Sequence, residues 1–199
     1  MDCANGRSSH ATLDAELKLF MKMLNSSKQL AKTMVFYVFN YWVTYFPVYF
    51  FRLCYIKYLM QIDVGRNSFI HMGCLFYDGV SIGKNSVIGR SCHLLGHIFI
   101  GDNVSVTAQT YIFSSSHYKD SPTFEAFTKP VVISDRAWIG ARAVITPGIT
   151  VGVGAVLGAN STATRDIPDY EVHAGSPARK IGQRTRDLSY QLNYAPYLQ

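Results

Sequence analysis

An apolar residue returns at every sixth position through the middle of the chain, and this period constrains the fold more than any other feature. The fifteen positions are Val64, Ile70, Phe76, Ile82, Ile88, Leu94, Ile100, Val106 and Ile112 and, after an interruption, Ile133, Ile139, Ile145, Val151, Leu157 and Ala163. A helix repeats about every 3.6 residues and a half-buried strand every second residue, so neither produces a strict period of six. Short strands joined by tight turns do produce it, because each strand with its turn is one unit of a stacked coil.

The residues between these anchors support a core built from three-sided coils. The position four residues after an anchor is nearly always small or β-branched: Ser68, Cys74, Val80, Ser86, Cys92, Val104, Thr110, Ser116, Ala137, Ala143, Ala155 and Ser161. We expect each anchor to fill a corner of the core, each small residue to point inward, and the glycine that often follows an anchor to permit the turn. Three such sides make a coil of 18 residues, and neighbouring coils stack about 4.8 Å apart.

The sequence therefore predicts a mainly β protein, a parallel β-helix of about five coils. Its expected parts are an N-terminal helical and aromatic segment over residues 1–61, the β-helix over 62–168 and a C-terminal tail over 169–199. Cys74 and Cys92 are 18 residues apart, so we expect them to be vertical neighbours inside the stack. Two small buried thiols are favoured there over a disulfide.

Composition and charge exclude several classes of protein. An apolar content of 48% with only 16% charged residues excludes a disordered chain. The cysteines include no C-x-x-C pair and no His–Cys cluster spaced for a metal, so we expect no metal site. The net charge of +6 suits a phosphate-bearing ligand or an anionic surface, but the basic residues form no continuous run. We therefore expect no nucleic-acid binding.

The repeat breaks after Ile112, and such a break is where an otherwise regular solenoid can build a site. The chain leaves the stack at Tyr118 and returns at Ile133, so residues 118–132 are expected to form an excursion loop that begins at His117. A single histidine is more often structural than catalytic, but an imidazole can accept a proton from a hydroxyl at neutral pH. No Ser–His–Asp order is present, which favours direct action of His117 on the hydroxyl of a bound substrate.

A set of motifs follows in a fixed order after the break. They are Lys129-Pro-Val-Val-Ile133, Ala137-Trp-Ile-Gly140, Ile145-Thr-Pro-Gly148, Thr164-Arg-Asp-Ile-Pro168, Ala174-Gly-Ser-Pro-Ala-Arg179 and, in the tail, Asp187-Leu-Ser-Tyr-Gln-Leu-Asn-Tyr194. With these motifs the chain resembles the hexapeptide-repeat acyltransferases over about residues 50–195, and most of all the branch that O-acetylates sugars. The resemblance implies a left-handed coil, a homotrimer with sites between neighbouring subunits, and acetyl-coenzyme A as co-substrate without an obligatory metal.

The resemblance also implies roles for single residues. His117 matches the general base that deprotonates the acceptor hydroxyl, with direct transfer and no acyl-enzyme. Coenzyme A would be bound from its pantetheine to its nucleotide phosphates by Trp138, Ala141, Ala159, Thr164, Arg165 and Arg179. Each of these residues also has a structural alternative. Trp138 could pack at a subunit interface, and Ala141 and Ala159 could be small because neighbouring chains come close. Arg165 and Arg179 could simply be solvated.

Two positions depart from the family pattern. Leu95 stands where the family often has an acidic residue on the coil below the catalytic histidine, so the pattern does not define the acceptor. His97 lies nearby and is a candidate for holding the acceptor, with a surface histidine as the alternative. Asn160 stands where glycine is usual.

The segment before the repeat is aromatic and uncharged from Thr33 to Phe51. Tyrosines at four-residue spacing from Tyr37 to Tyr49 predict one helix with an aromatic stripe. The stripe could pack against the β-helix or between subunits. Alternatively, residues 28–58 could make a peripheral membrane contact that is helped by Lys28, Lys32, Arg52 and Lys57. A true membrane span is the least favoured reading.

These observations predict an acetyl-coenzyme A-dependent O-acetyltransferase. The expected acceptor is a sugar hydroxyl of a surface polysaccharide or its precursor, and the expected location is the cytoplasm, with possible association at the inner face of the membrane. The alternatives are another small acceptor, such as an antibiotic hydroxyl, a serine or an amino sugar, and a non-catalytic β-helix scaffold.

Overall fold

The computed structural model describes residues 25–194 and residue 196. The chain divides into two compact units, Met1–Tyr37 and Val38–Gln199. In the first unit, the described residues 25–37 are helical. Residues 1–24 of the expected N-terminal segment and four residues at the end of the expected tail lie outside the described part of the chain.

The second unit contains a parallel β-helix with three faces, which confirms the predicted fold class. Face A consists of β1 (Asp63–Val64), β4 (Val80–Ile82), β7 (Ile98–Ile100), β12 (Val131–Ile133) and β15 (Thr150–Val151). Face B consists of β2 (Phe69–Ile70), β5 (Val87–Ile88), β8 (Ser105–Val106), β13 (Trp138–Ile139) and β16 (Val156–Leu157), extended by the C-terminal hairpin of β18 (Glu171–Gly175) and β19 (Ala178–Gln183). Face C consists of β3 (Leu75–Phe76), β6 (His93–Leu95), β9 (Tyr111–Phe113), β14 (Val144–Ile145) and β17 (Thr162–Ala163).

The register between coils follows the predicted 18-residue spacing. Val64 pairs with Ile82, Ile70 with Ile88, and Phe76 with Leu94. All fifteen anchors are buried, none more than 4% exposed. Stacking of like residues thus gives one continuous apolar core, as the period predicts.

The small residues between anchors mostly lie inside the core, with one exception. Cys74 and Cys92 are buried and carry free thiols, as predicted. The expectation for Ser116 is wrong, because this residue is exposed. Val131 takes the buried position instead, in register with Ile98, because the chain leaves the coil before Ser116 and returns after the hairpin.

The predicted role of the glycines after the anchors needs correction. A Cβ on Gly65 would lie 2.4 Å from the carbonyl carbon of Gly83 on the next coil, so glycine is needed there for close stacking of the coils. The left-handed backbone of the turn falls instead two residues later, at positions such as Asn67 (φ 60°) and Asn85 (φ 54°). Asparagine tolerates this conformation better than most residues. Asn160 (φ 55°) occupies one of these positions, which accounts for its place in the repeat.

The aromatic segment is not one helix, so the prediction of a continuous tyrosine stripe is wrong. The second unit starts with helical residues 38–41, a 3₁₀ turn at Val43–Tyr45, an α-helix at Tyr49–Cys54 and a π-helical turn at Tyr55–Leu59. The break lies at Pro47, and Phe46 before it is extended (φ −67°, ψ 125°). Proline disfavours helical backbone in the residue before it, which explains the break. No helix in the described residues has both the length and the apolar character needed to cross a bilayer.

This segment closes the open edge of the first coil. The amide of Asn40 donates to the carbonyl of Phe76 at 2.9 Å and accepts from its N–H at 3.0 Å, and Thr44 donates to the carbonyl of Cys74 at 2.9 Å. Without these bonds the first strands would present unpaired backbone groups. We call residues 38–60 the N-terminal cap.

Arg52 belongs to the inner side of the N-terminal cap. Its guanidinium is buried, donates to the carbonyl of Ile70 at 3.1 Å and lies 5.4 Å above the ring of Tyr49. Burial raises the pKa of the Tyr49 phenol, which stays protonated and donates to the carbonyl of Ser68 at 2.7 Å. The expectation that Arg52 helps a membrane contact is therefore wrong, because its charge faces the protein interior.

The C-terminal tail runs back along face B. Arg184 donates to the carbonyl of Arg136 at 3.0 Å, and farther along the tail Tyr194 stacks on His71 with ring centroids 5.2 Å apart. The tail thus spans from the last coils to the first.

Candidate functional site

The excursion from the repeat is an antiparallel hairpin at the corner where face C turns into face A, here called the C–A corner. Its strands are β10 (Ser115–His117) and β11 (Ala126–Thr128), with His117 opposite Ala126. The hairpin begins at Ser115, earlier than the expected departure at Tyr118. His117 therefore lies inside an ordered strand, three residues after the chain leaves the core.

The imidazole of His117 is held by Phe124 through two contacts. Nδ1 of His117 lies 2.7 Å from the carbonyl oxygen of Phe124, and the two rings stack with centroids 3.9 Å apart at 14°. A carbonyl oxygen can only accept, so Nδ1 carries the hydrogen. In the neutral ring, Nε2 then has a free lone pair, and the exposed side chain can present it to a bound molecule.

His97 lies on the same corner, one coil below the base of the hairpin. Its backbone N–H donates to the hydroxyl of Ser114 at 2.9 Å, and its carbonyl accepts from Val131 at 3.0 Å. The imidazole covers Gly79, where a Cβ would come within 2.4 Å of Nδ1. Leu95 pairs with Phe113 on the next rung, so no carboxylate occupies that position below the hairpin.

Trp138 lies on face B beside a cleft that the tail helps to form. Its indole is 49% exposed, and Nε1 donates to the hydroxyl of Thr107 at 3.3 Å. The cleft has a volume of about 270 Å³ and is lined by Ser105, Trp138, Arg184, Tyr190 and Leu192. It combines an aromatic wall with hydroxyl groups and a guanidinium.

Ala141 and Ala159 lie at the corner where face B turns into face C, here called the B–C corner. They stack in one column with Ala108, joined through turn hydrogen bonds from Arg142 to Ala108 (3.0 Å) and from Asn160 to Ala141 (2.8 Å). This column forms a strip of backbone and methyl groups along the β-helix. Such a strip lets an extended chain approach the backbone closely.

The remaining predicted residues lie near the last coils. Thr164 and Arg165 follow β17 at the C–A corner and are exposed. Arg179 is an exposed residue of β19, opposite Ala174, and its guanidinium donates to the carbonyl of Ala178 at 3.0 Å. One chain therefore places His117, His97, Thr164 and Arg165 along one corner, and Trp138, Ala141 and Ala159 along face B and the B–C corner.

Sequence reasoning missed four residues that contact the candidate site residues or line the cleft beside Trp138. Phe124 lies within the excursion without any periodic signal. Thr107 is separated from Trp138 by 31 residues that include the hairpin. Arg184 and Tyr190 belong to the tail, whose motif gave no role to any of its residues. Within residues 25–194, no group of three or more His, Cys, Asp or Glu side chains could hold a metal ion.

Comparisons with known proteins agree with this architecture. The profile described as "Hexapeptide repeat of succinyl-transferase" matches residues 79–114 and 130–165. The chain is 32% identical to the galactoside O-acetyltransferase of Escherichia coli (strain K12) over 152 residues, which cover 76% of this chain and 65% of the relative. The chain thus matches slightly less than two thirds of that relative's length.

Solved structures share the fold. A maltose O-acetyltransferase from Clostridium difficile 630 superposes with a TM-score of 0.60 at 28% identity, covering 82% of this chain and 89% of that one. A hexapeptide-repeat-containing acetyltransferase from Vibrio cholerae superposes with a TM-score of 0.65 at 25% identity, covering 77% and 89%. The Vibrio protein has also been solved in complex with acetyl-coenzyme A.

Proposed function

Because the chain belongs to the hexapeptide-repeat acyltransferase family, we propose that it transfers acetyl from acetyl-coenzyme A to a sugar hydroxyl, of a surface polysaccharide or its precursor. Its similarity to galactoside and maltose O-acetyltransferases supports a sugar as the acceptor class. The single observation that carries the proposal is the hydrogen bond from His117 Nδ1 to Phe124, because it leaves Nε2 able to take a proton.

The proposed reaction uses His117 twice. Acetyl-coenzyme A supplies an activated thioester. His117 Nε2 takes the proton of the acceptor hydroxyl while that oxygen attacks the thioester carbonyl, and backbone N–H groups stabilise the negative charge that develops on the carbonyl oxygen. The protonated imidazole then returns the proton to the leaving sulfur. Transfer is direct, so the chain needs no covalent acyl intermediate.

The residues of face B and the B–C corner fit the co-substrate. The column of Ala108, Ala141 and Ala159 leaves room for an extended pantetheine, and Trp138 offers an apolar wall beside it. Arg165 and Arg179 carry exposed guanidinium groups, which suit the charge and geometry of phosphates. Thr164 lies next to Arg165 at the C–A corner, the corner that also carries His117.

We further propose that the active site forms between subunits of a homotrimer. His117 lies on the C–A corner, whereas Trp138 lies on face B of the same chain. A neighbouring copy that places its face B against the hairpin would bring both residues to one site, and the repeated contact closes a ring of three subunits. The cytoplasm, which contains acetyl-coenzyme A, is the proposed location.

Replacement of His117 tests the assigned mechanism. We expect His117→Ala to lower kcat about 10²- to 10⁴-fold, the range for loss of a positioned general base. His117→Gln should lose about as much, because an amide can hydrogen-bond but cannot take the proton. Activity is measured as free thiol released from acetyl-coenzyme A in a screen of sugars.

Two controls accompany this measurement. Thermal unfolding and the particle mass must match those of the unmodified protein, and His93→Ala removes a histidine of face C that lies outside the hairpin. Full activity of His117→Ala would disprove the mechanism. The unmodified protein could release no thiol with any sugar but release it with chloramphenicol, serine or an amino sugar. That result would overturn the sugar as acceptor and assign the active compound's class instead.

A further inference from the structure

The outer side of the N-terminal cap is a surface that the proposed reaction does not use. The inner side buries Phe39 and Ile56 and bonds to the first coil. The outer side exposes a cluster of aromatic side chains, here called the aromatic patch: Trp42, Phe46, Phe50 and Phe51.

The aromatic patch combines large apolar rings with high exposure to solvent. Trp42 is 74% exposed, Phe50 66% and Phe51 57%. An open groove of about 450 Å³ runs between its rings, lined by Trp42, Val43, Phe46, Phe51 and Tyr55. A contiguous apolar surface of this kind marks a site of interaction, because leaving it in water is unfavourable.

The charges of the sequence segment that contains the patch indicate what binds to it. From Leu17 to Ile62 the sequence contains no aspartate or glutamate, but it contains Lys18, Lys22, Lys28, Lys32, Arg52 and Lys57. Lys28 and Lys32 are exposed on the helix of residues 25–37, and the charge of Arg52 is used internally. An acid-free basic segment that carries tryptophan and tyrosine matches an interface with anionic lipid headgroups.

We propose that the aromatic patch docks the protein onto an anionic lipid surface. Four side chains enter the boundary between headgroups and acyl chains: Trp42, Phe46, Phe50 and Phe51. The lysines of the segment supply the attraction to the anionic headgroups. This docking is independent of the reaction proposed above, and it leaves the three faces of the β-helix available to neighbouring subunits.

Vesicle sedimentation tests the docking. The full chain is mixed with phosphatidylcholine vesicles, with and without phosphatidylglycerol, and the bound fraction is measured. We expect binding to the anionic vesicles that weakens as salt is raised. The double variant Trp42→Ser with Phe50→Ser should bind at least about tenfold more weakly, because two apolar anchors are lost. Lys57→Glu should weaken binding to the vesicles that contain phosphatidylglycerol, but not to vesicles of phosphatidylcholine only.

The matched control is Ile181→Ser. This side chain is 68% exposed on β19, at the opposite end of face B, so its loss should leave vesicle binding unchanged. Unchanged binding of the double variant, or absence of binding by the unmodified protein, would overturn the proposal. A double variant with fewer subunits per particle than the unmodified protein would overturn it as well, since the patch would then join copies of the chain.

Discussion

The imidazole of His117 depends on two contacts that come from the same residue. The carbonyl of Phe124 selects the tautomer, and its ring fixes the plane of the imidazole. Phe124 adopts a left-handed backbone (φ 53°), which is uncommon for a bulky side chain and costs about 1–3 kcal/mol. The hydroxyl and carbonyl of Ser121 hold this turn by accepting from the N–H groups of Glu125 (3.1 Å) and Phe124 (3.2 Å).

Loss of the Phe124 ring should therefore impair the chemical step without removing the base. We expect Phe124→Ala to lower kcat about tenfold, because a freely turning imidazole is less often aligned with the hydroxyl. The KM for acetyl-coenzyme A should change little. Nitrogen NMR of the imidazole should still show the hydrogen on Nδ1, since the backbone carbonyl remains.

Phe127→Ala is the matched control on the same hairpin. The ring of Phe127 packs against Tyr118, with centroids 4.8 Å apart, instead of against His117. An equal loss of kcat in both variants would show that the hairpin as a whole, and not the Phe124 ring, positions the base.

At the scale of the coil, the glycines are required by the spacing between rungs. A Cβ on Gly65 would meet three backbone atoms of Gly83 and Lys84 at 2.4–2.6 Å, and backbone atoms cannot rotate away as a side chain can. The carboxylate of Asp102 occupies the equivalent space one coil later, where it accepts from the N–H of Lys84 at 2.6 Å. The turns are thus both closely packed and hydrogen-bonded.

Gly65→Ala should destabilise the protein through this contact. We expect the free energy of unfolding to fall by about 1–3 kcal/mol, the usual cost of overpacking, because the first two coils must separate. The measurement is urea unfolding followed by circular dichroism. In Gly182→Ala the nearest atom to the new Cβ lies 3.9 Å away, so this control should be close to neutral. Equal stability of both variants would contradict close stacking at Gly65.

At the scale of the whole molecule, the proposed site residues divide between two regions of one chain. The hairpin with His117 projects from the C–A corner, and Trp138 lies on face B beside the tail. A single chain can therefore supply the proposed base and the proposed pantetheine wall to two different sites. This division is what a site between subunits requires.

Mixing two inactive variants tests this arrangement. If each site combines His117 of one subunit with Trp138 of its neighbour, co-expression of His117→Ala and Trp138→Ala chains should restore activity at about a quarter of the sites of a random trimer. Thiol release is compared with that of each variant alone. A mixture of His117→Ala and His117→Gln chains cannot restore any site and serves as the control. Absence of recovery from the first mixture would show that both residues act within one chain.

Much of the fold could be predicted because its signal is repeated. The anchors from Val64 to Ala163 each report the same environment, so the core and the coil length follow from the period. The excursion was visible as a gap in that period. The hydrogen bond of His117 to Phe124, the cleft between Trp138 and the tail, and the burial of Arg52 were not predictable in the same way. Each is a single contact with no periodic counterpart.

The β-helix, its buried thiols and its resemblance to the hexapeptide-repeat acyltransferases could be read from the sequence alone, because regular spacing and ordered motifs are local properties of the chain. The folded structure was needed to show that glycine serves close stacking and that Arg52 faces inward while Trp42 faces solvent. These outcomes depend on the set of atoms from other parts of the chain that surrounds each residue. That set exists only once the chain has folded.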